Sequence, residues 1–376
     1  MDFFYDWLNV YQDFDYELPL VGDRANIVID TDTGDQLSIT QPTMKYEGSY
    51  STSINIRVSG NRISISGNPS RVNRLDNLFG LTTLEQCFSV YNSILHSLGL
   101  PAFTKCSKVF LLSGEDGSKV KTSSDGAIIT ELHITSNVSV GSGCVDDYIR
   151  AISTQHYRNM KPRLHTNGQT CDYLNTKGKA SSLIYPSIYN KAFELHLHTL
   201  PKYIRRFGDQ SPEVNYLKKL INYCTEQGVA RFEQKLKSQF LRKNNFRFYG
   251  LFDEKKLVPY QEKFLNIDNK LEAMTAMTFE NISQKLIRLH VVDSTLAANT
   301  TAMYFVQWMH GSSFDLSKSA VKKHRARLRK IGFDIADTFD VSRHNIISIV
   351  RQKEIVVSSL SMPEWYKKAS TLRLVA

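Results

Sequence analysis

Apolar and polar residues alternate along Ile54, Ile56 and Val58, break at Gly60-Asn61, and alternate again through Ile63 and Ile65. Every second side chain of a strand points to one face, and Gly-Asn supplies turn chemistry, so this stretch predicts a β-hairpin. The period then lengthens. Leu84, Phe88, Tyr91 and Ile94 recur at helical spacing after an N-cap at Thr82 or Thr83 and before Gly99 and Pro101, which predicts a helix from about Thr83 to Leu98. Alternation returns between Ala127 and Thr135, where Ile128, Leu132 and Ile134 share one face and Ile129, Glu131, His133 and Thr135 the other. It returns again between Val229 and Lys237, with Ala230, Phe232 and Leu236 opposed to Arg231, Glu233, Lys235 and Lys237. Between these strands lie a segment expected to be a polar loop (161–179) and the tyrosine-rich run Ile184 to Lys191, in which Pro186 suggests a bulge or break. A helix from about Pro212 to Glu226 follows, capped by Ser211 and ended by Gly228.

From about Phe252 the pattern is helical for most of the remainder, so residues 1–255 are expected to form an α+β domain and 256–376 a mainly helical one. Within the latter, Ala298 to His310 and Ser317 to Ile331 are two helices joined by a short turn containing Gly311, a helix-turn-helix-like pair. There is no internal repeat and no low-complexity linker.

Composition narrows the class. The 376 residues, 41% hydrophobic and 22% charged, are those of an ordinary globular chain rather than a disordered one. No stretch reaches the ~18 unbroken apolar residues of a membrane span. Acids occupy the start, Met1-Asp2-Phe3-Phe4-Tyr5-Asp6, where a signal peptide needs positive charge, so a cytosolic protein without a membrane partner is expected. The five cysteines form no C-x-x-C pair and are odd in number, which argues against a zinc ribbon and a disulfide framework alike. The net charge of +10 and pI near 9.2 favour a polyanionic partner, most often nucleic acid.

The cations cluster. Lys318 to Lys330 holds seven Lys or Arg and no acid, and Lys318, Lys322, Arg325 and Arg329 fall on one helical stripe suited to duplex phosphates, unless the stripe is merely a solvated face. Lys235, Lys237, Arg242, Lys243 and Arg247 are interleaved with Phe240, Phe246, Phe248 and Tyr249, which fits either a nucleic-acid track with stacking positions or core aromatics under a basic rim. Acids and histidines also converge by pattern: Glu131 with His133 on one strand face, Glu194 with His196 and His198 on another if that segment is extended, and Glu233 beside Arg231 on a third. Three neighbouring strands could aim these groups at one Mg²⁺ or Mn²⁺, which would stabilise charge on a scissile phosphate. A tyrosine beside that cation is a natural nucleophile, because a phosphotyrosine ester conserves bond energy for resealing. His196-Leu197-His198 has the His-hydrophobe-His form found in nicking enzymes, and Tyr216-Leu217-Lys218-Lys219 matches a Tyr-x-x-Lys helix arrangement, although Tyr216 and Tyr223 also fit one packed helix stripe.

Four segments carry a family likeness in family order across nearly the whole chain: Asn68-Pro69-Ser70-Arg71-Val72 leading to Asn77-Leu78-Phe79-Gly80; Tyr189-Asn190-Lys191 with Glu194-Leu195; Val229-Ala230-Arg231-Phe232-Glu233; and Pro363-Glu364-Trp365-Tyr366. With them the chain resembles the replication initiators of filamentous bacteriophages, the gene II and gene X type. The resemblance implies an antiparallel-sheet, nickase-like (HUH, rolling-circle Rep-like) catalytic domain followed by a helical DNA-binding domain. It implies a metal-dependent enzyme that nicks the double-stranded replicative form at the origin and keeps the 5′ phosphate on a tyrosine. The released 3′ hydroxyl goes to the host polymerase and helicase, and the displaced single strand is rejoined, all in the bacterial cytoplasm. On this likeness Tyr189 is the nucleophile, Lys191 steadies the phosphate, and His133, Glu194 and Glu233 hold Mg²⁺ or Mn²⁺, with Glu131, His196 and His198 as further candidates. Glu131-Leu132-His133 stands where the family usually has Arg-x-Asp. Arg231, Lys235, Lys237, Lys318, Lys322, Arg325 and Arg329 are the expected DNA contacts. The rival reading is a non-catalytic origin-binding replication regulator; a single-strand coat protein would usually be much smaller.

Overall fold

The alternating hairpin is the outer part of a large sheet. The computed structural model describes residues 3–22, 24–47, 50, 53–112, 121–267, 279–339 and 355–367. In chain order these form β1 (Phe4–Asp13), a peripheral hairpin of β2 (Asn26–Ile29) and β3 (Gln36–Thr40), β4 (Met44–Glu47), β5 (Ser53–Ser59), β6 (Arg62–Gly67) and α1 (Leu84–Ser97). A second peripheral hairpin, β7 (Val109–Leu112) and β8 (Lys121–Ser124), precedes β9 (Ile128–Ser139), α2 (Val145–Ile152), β10 (Lys161–Leu164), β11 (Thr170–Leu174) and β12 (Ile184–Asn190). Then come α3 (Lys191–Glu194), α4 (Leu200–Phe207), α5 (Pro212–Gln227), β13 (Val229–Lys237), α6 (Ser238–Lys243), α7 (Val258–Leu265), α8 (Phe279–Arg288), α9 (Thr295–Met309), α10 (Ser319–Lys330) and β14 (Ser358–Ser359).

The main sheet runs β10-β11-β12-β13-β9-β1-β6-β5-β4, its pairs antiparallel, and β14 joins the end of β9. The molecule is therefore α+β. The local signals act as expected at both long helices: Thr83 makes a capping box with Gln86 on α1, and Ser211 caps α5. Gly228 ends α5 in the left-handed region (φ 61°), where a Cβ would lie 1.9 Å from the Gly141 carbonyl oxygen.

Three local expectations change. Residues 161–179 are not a loop: β10 and β11 lie there, with Cys171 and Tyr173 buried below a polar face. β12 runs through Pro186 without a break, because the ladder to β11 stops at Asp172 opposite Ser187 and leaves Pro186 on a local edge. The segment after Tyr189 turns helical rather than extended. Asn190 accepts from the Phe193 N–H at 3.2 Å, and π-type turns (Leu195–Thr199) carry the helix on to α4 while Ala192, Leu195 and Leu200 pack with Leu217 and Leu220 of α5.

One sheet face is mainly apolar, with Ser136 and Gln234 buried among its hydrophobic residues. At one end it is covered by α1 and α6; at the other, by α2, α7 and the helices of the last third. Phe264 packs edge-on to Phe232 and Tyr173, in a core shared with Phe305, Leu328 and Phe333. Of the helices from residue 256 onward, α7 packs directly on β9 and β13, and buried residues of α8, α9 and α10 belong to the same apolar cluster. The α9 and α10 pair is present, joined through residues 310–318, with the His324 ring stacked on Tyr304 at 4.3 Å. The chain then returns: Tyr366 buries its hydroxyl against Asp76 at 2.6 Å, in the loop before α1.

Asp334 ties α10 to the sheet edge. Its carboxylate holds Arg325 through both oxygens (2.6 and 2.9 Å), with Arg329 at 3.7 Å and His156, which follows α2, at 3.5 Å. Burial alone would raise its pKa, but the Arg325 hydrogen bonds and charge hold it below the usual aspartate range. The stabilisation is therefore present above the unfolded value of about 3.9 and lost as pH falls through the lower folded value. Asp334→Asn should cost about 3 kcal/mol at pH 7, as for a broken buried pair, and the gap to wild type should narrow as pH drops below about 4. Urea denaturation across that range measures both; a gap that stays constant would show that charge is not what binds these elements.

Candidate active site

The opposite face of the central strands is polar, and strand register decides which groups meet there. Tyr189 of β12 lies opposite Arg231 of β13, which lies opposite Asn137 of β9. The next row is Ser187, Glu233 and Thr135; the third is Tyr185, Lys235 and His133, continued by Trp7 of β1. A shift of register between Tyr5 and Trp7 puts Asp6 in a bulge, and its carboxylate reaches the same face.

Arg231 lies at the centre and is fully buried. It donates to Asn137 Oδ1 at 2.9 Å and to the Asn77 carbonyl at 2.7 Å, and pairs with Asp6 at 3.5 Å. Asp6 also accepts from the side-chain amides of Asn68 and Asn77. Tyr189, partly exposed, donates its hydroxyl to Glu233 Oε2 at 3.3 Å. Burial and the Glu233 charge push its pKa well up, so the hydroxyl keeps its proton at neutral pH. Glu233 in turn meets His133 Nδ1 at 2.9 Å, while His133 Nε2 meets Glu131 at 2.8 Å and the ring stacks on Trp7. Burial opposes charge on both partners, but the hydrogen bonds win: Glu233 is held low, chiefly by His133, and the His133 pKa is raised by Glu131 and Glu233. Lys191, 1% exposed, reaches Glu194 at 2.6 Å and Asn77 Oδ1 at 3.2 Å. Burial and the neighbouring Arg231 lower its pKa, and Glu194 is kept ionised by Lys191 in spite of burial.

Tyr189, Lys191, Glu194, Arg231, Glu233, His133 and Glu131 thus share one neighbourhood. Within it Glu194 is engaged by Lys191, whereas Glu131 and Glu233 flank His133. His196 and His198 do not join: on a helix instead of a strand, they are exposed to solvent. Arg231 does not present its charge to a ligand outside the fold, because burial and its bonds to Asn137, Asp6, Asn77 and Leu78 consume it. Lys235 and Lys237 sit part-exposed on the open side, but Phe240, Phe246, Phe248 and Tyr249 are buried, so the basic rim over a core is what that cluster forms. On α10, Arg325 and Arg329 turn toward Asp334, and Lys318, Lys322 and Lys323 are the cations left fully exposed at its start. Tyr216 donates to Asp76 at 3.0 Å and packs with Tyr223 around Trp365, the packed stripe of the alternative reading.

Asp6, Asn77 and Asn137 escaped the sequence reading. Asn77 stood within a segment singled out for its likeness, but nothing local marked Asp6, whose place depends on the bulge. Among the described residues, only His156, Asp334 and Asp337 put three His or carboxylate ligand atoms within 4.8 Å of one another, and Arg325 and Lys161 already hold those carboxylates. Among the described residues no helix is long and apolar enough to cross a membrane.

The four segments that carry the family likeness converge on this site: 68–80 cradles Arg231, 189–194 and 229–233 supply the charged face, and Tyr366 closes the loop over Asp76. Residues 4–267 match the N-terminal family of the gene II replication-associated protein, and residues 286–372 match the C-terminal family of the same protein. The gene II replication-associated protein of Escherichia phage If1 is 50% identical over 321 residues, covering 85% of this chain and 99% of the relative. No solved structure matches the chain.

Arg231→Ala should lower stability by about 3 kcal/mol or more, since it removes the cation beside buried Asp6 and the donor to the Asn77 carbonyl and to Asn137 Oδ1. At temperatures where the variant stays folded, the salt dependence of duplex binding should be unchanged. A slope reduced by about 0.9 with full stability would instead make Arg231 a phosphate contact.

Proposed function

The chain belongs to the gene II replication-associated protein family, and on that footing we propose that it is a rolling-circle replication initiator that nicks and rejoins the phage's double-stranded replicative form through a 5′-phosphotyrosine. The observation that carries this reading is the Tyr189 hydroxyl 3.3 Å from an ionised, buried Glu233, on an open sheet face beside Lys191 and Arg231. That arrangement is the catalytic end of a nickase-type antiparallel domain, and the exposed lysines of α10 supply duplex affinity.

In the forward step the Tyr189 oxygen attacks the scissile phosphorus and gives its proton to Glu233. The Oη–P bond forms, the P–O3′ bond breaks, and the 3′ oxygen takes a proton from solvent. Burial and the Glu233 charge raise the Tyr189 pKa, so the hydroxyl keeps its proton until attack and the transfer is coupled to formation of the Oη–P bond. Lys191 is the cation this reading assigns to the phosphate, while Arg231, consumed by its own bonds, holds the strands that carry Tyr189 and Glu233 in register. In rejoining, the 3′ hydroxyl attacks the phosphotyrosine and gives its proton to solvent; the P–O3′ bond forms, the P–Oη bond breaks, and Tyr189 takes its proton back from Glu233. The host polymerase and helicase would use the nick, in the bacterial cytoplasm.

Glu233 and Glu131 offer the carboxylates that a Mg²⁺ or Mn²⁺ ion prefers, but they lie on opposite sides of the His133 ring and occupy both its nitrogens, so the three do not converge on one point as they stand. Glu233 and Glu131 would hold an ion only if His133 turned away from them; Glu194 is taken by Lys191. When bound, such an ion would neutralise charge developing on the phosphate.

Tyr189→Phe should abolish the covalent protein–DNA adduct on supercoiled replicative-form DNA and leave duplex affinity near wild type, while Tyr216→Phe should keep the adduct. Glu233→Gln, or EDTA with the wild type, should cut nicking by roughly a hundredfold or more. Duplex binding without any adduct in wild type plus Mg²⁺ or Mn²⁺ would leave the non-catalytic origin-binding reading in possession. In the same binding assay Lys318→Ala with Lys322→Ala should flatten the log–log salt slope by about 2, and an unchanged slope would make α10 only a solvated face.

A further inference from the structure

On the strand next to that of Tyr189, the polar face holds a group that the proposed chemistry does not use. Asp172 of β11 is 2% exposed, yet its carboxylate accepts from Arg163 Nε at 2.9 Å and from Arg163 Nη2, from Tyr185 Oη at 2.6 Å, and meets His165 Nε2 at 3.1 Å. The partners are not buried. The side chain of Arg163 is 52% exposed and that of His165 40%, and Tyr185 is partly exposed with the ammonium groups of Lys235 and Lys237 each 5.9 Å from its ring. One buried anion thus fixes the orientation of three surface groups.

The register ties them to the nucleophile. Arg163 lies opposite Asp172, Asp172 opposite Ser187, and Ser187 opposite Glu233, so the guanidinium shares a cross-strand row with Glu233. His165 donates its backbone N–H to the Thr170 carbonyl, and Thr170 lies opposite Tyr189. At about 4.8 Å per strand, the edge cations stand on the order of 10 Å from Tyr189 along the sheet. Charge decides what suits this edge. Lys235 stands 3.6 Å from Glu233 and Lys237 lies opposite Glu131, so Arg163, with His165 beside it, is the cation that faces Asp172 at the edge. Arg163 spends Nε and Nη2 on Asp172, which leaves Nη1 outside that fork for another acceptor. Anchored cations around an aromatic ring fit the phosphates and one base of a single strand.

We infer that the β10–β11 edge is a second phosphate-binding subsite, gripping the single strand that flanks the scissile phosphate, with Arg163 as its main anion contact and Tyr185 as its stacking platform. This rests on the reading of Tyr189 as the nucleophile only for which part of the strand is held. Arg163, His165 and Tyr185 are positioning residues in this scheme.

The test is fluorescence anisotropy of a labelled single-stranded DNA oligonucleotide at several salt concentrations, with full-length protein. Arg163→Ala should weaken binding several-fold and flatten the log–log salt slope by about 0.7, the share of one phosphate on a single strand. Arg163→Lys keeps the charge without the fork and should restore the slope. Tyr185→Ala should weaken binding, and Tyr185→Phe, which keeps the ring, should not. Wild-type affinity and slope in Arg163→Ala overturn the inference; so does a slope that stays flattened in Arg163→Lys, since the loss would then trace to the broken Asp172 contact. The adduct assay with Tyr189→Phe reports separately on the nucleophile, so an adduct persisting there would remove the proposed chemistry while the salt slope still decides the edge.

Discussion

A guanidinium with no exposed surface has to be satisfied wholly by the protein, and Arg231 sets that requirement at the centre of this fold. Desolvating it costs several kcal/mol unless its donors and charge are matched. The match comes from distant parts of the chain: Asp6 in a bulge of β1, Asn137 on β9, and the carbonyls of Asn77 and Leu78 in the loop before α1. Each partner is then constrained in turn. Asn77 is held where it can accept from Lys191, so the α3 turn is anchored as well. The bulge, the loop and the helix entry that frame Tyr189 are therefore consequences of one buried cation.

The same cation shapes the electrostatics above it. Tyr189 lies between Arg231, which favours its anion, and Glu233, which opposes it, and burial outweighs Arg231. Glu233 stays ionised because His133 and Lys235 lie beside it, and Lys191 and Glu194 satisfy one another. Charges are thus paired locally along the face, with the tyrosine as its neutral member. Such a face can be both folded and poised, since no unpaired buried ion has to wait for substrate.

Sequence pattern was most informative where local signals agree with tertiary packing. The hairpin at Gly60, the capped helices α1 and α5, and the polar sides of β9 and β13 follow directly from period and capping residues. The charged face was legible for that reason, as Arg231, Glu233, His133 and Glu131 sit on strands whose alternation is plain. Glu194, His196 and His198 misled because an alternating Glu-x-His-x-His run carries a strand period, whereas the Asn190 cap and the apolar contacts of Ala192 and Leu195 commit it to helix. The stripe on α10 misled differently: spacing gave the common face but could not reveal Asp334 beyond the helix end, which draws Arg325 and Arg329 inward. Asp6 and Asp172 were invisible because their roles depend on a bulge and on a strand pairing that no local pattern encodes.

The position of α10 adds a constraint that neither the sheet nor the helices carry alone. Val321 and Leu328 of α10 belong to the core on the apolar face, together with Ile188 and Phe232, so the helix and Tyr189 lie on opposite sides of one sheet. Arg329 reaches the Arg158 carbonyl and Lys161 pairs with Asp337, which fixes the helical part against the beginning of β10. DNA held by the exposed lysines of α10, as proposed, would have to pass around the sheet to reach Tyr189, and the β10 edge is where the helical part is tied to it. That edge is where Arg163 and His165 stand, held outward by a carboxylate buried beneath them. With the helical part and the sheet joined by a common core, the route has a fixed length, so the distance from duplex grip to cleavage would be set by the fold rather than by a linker.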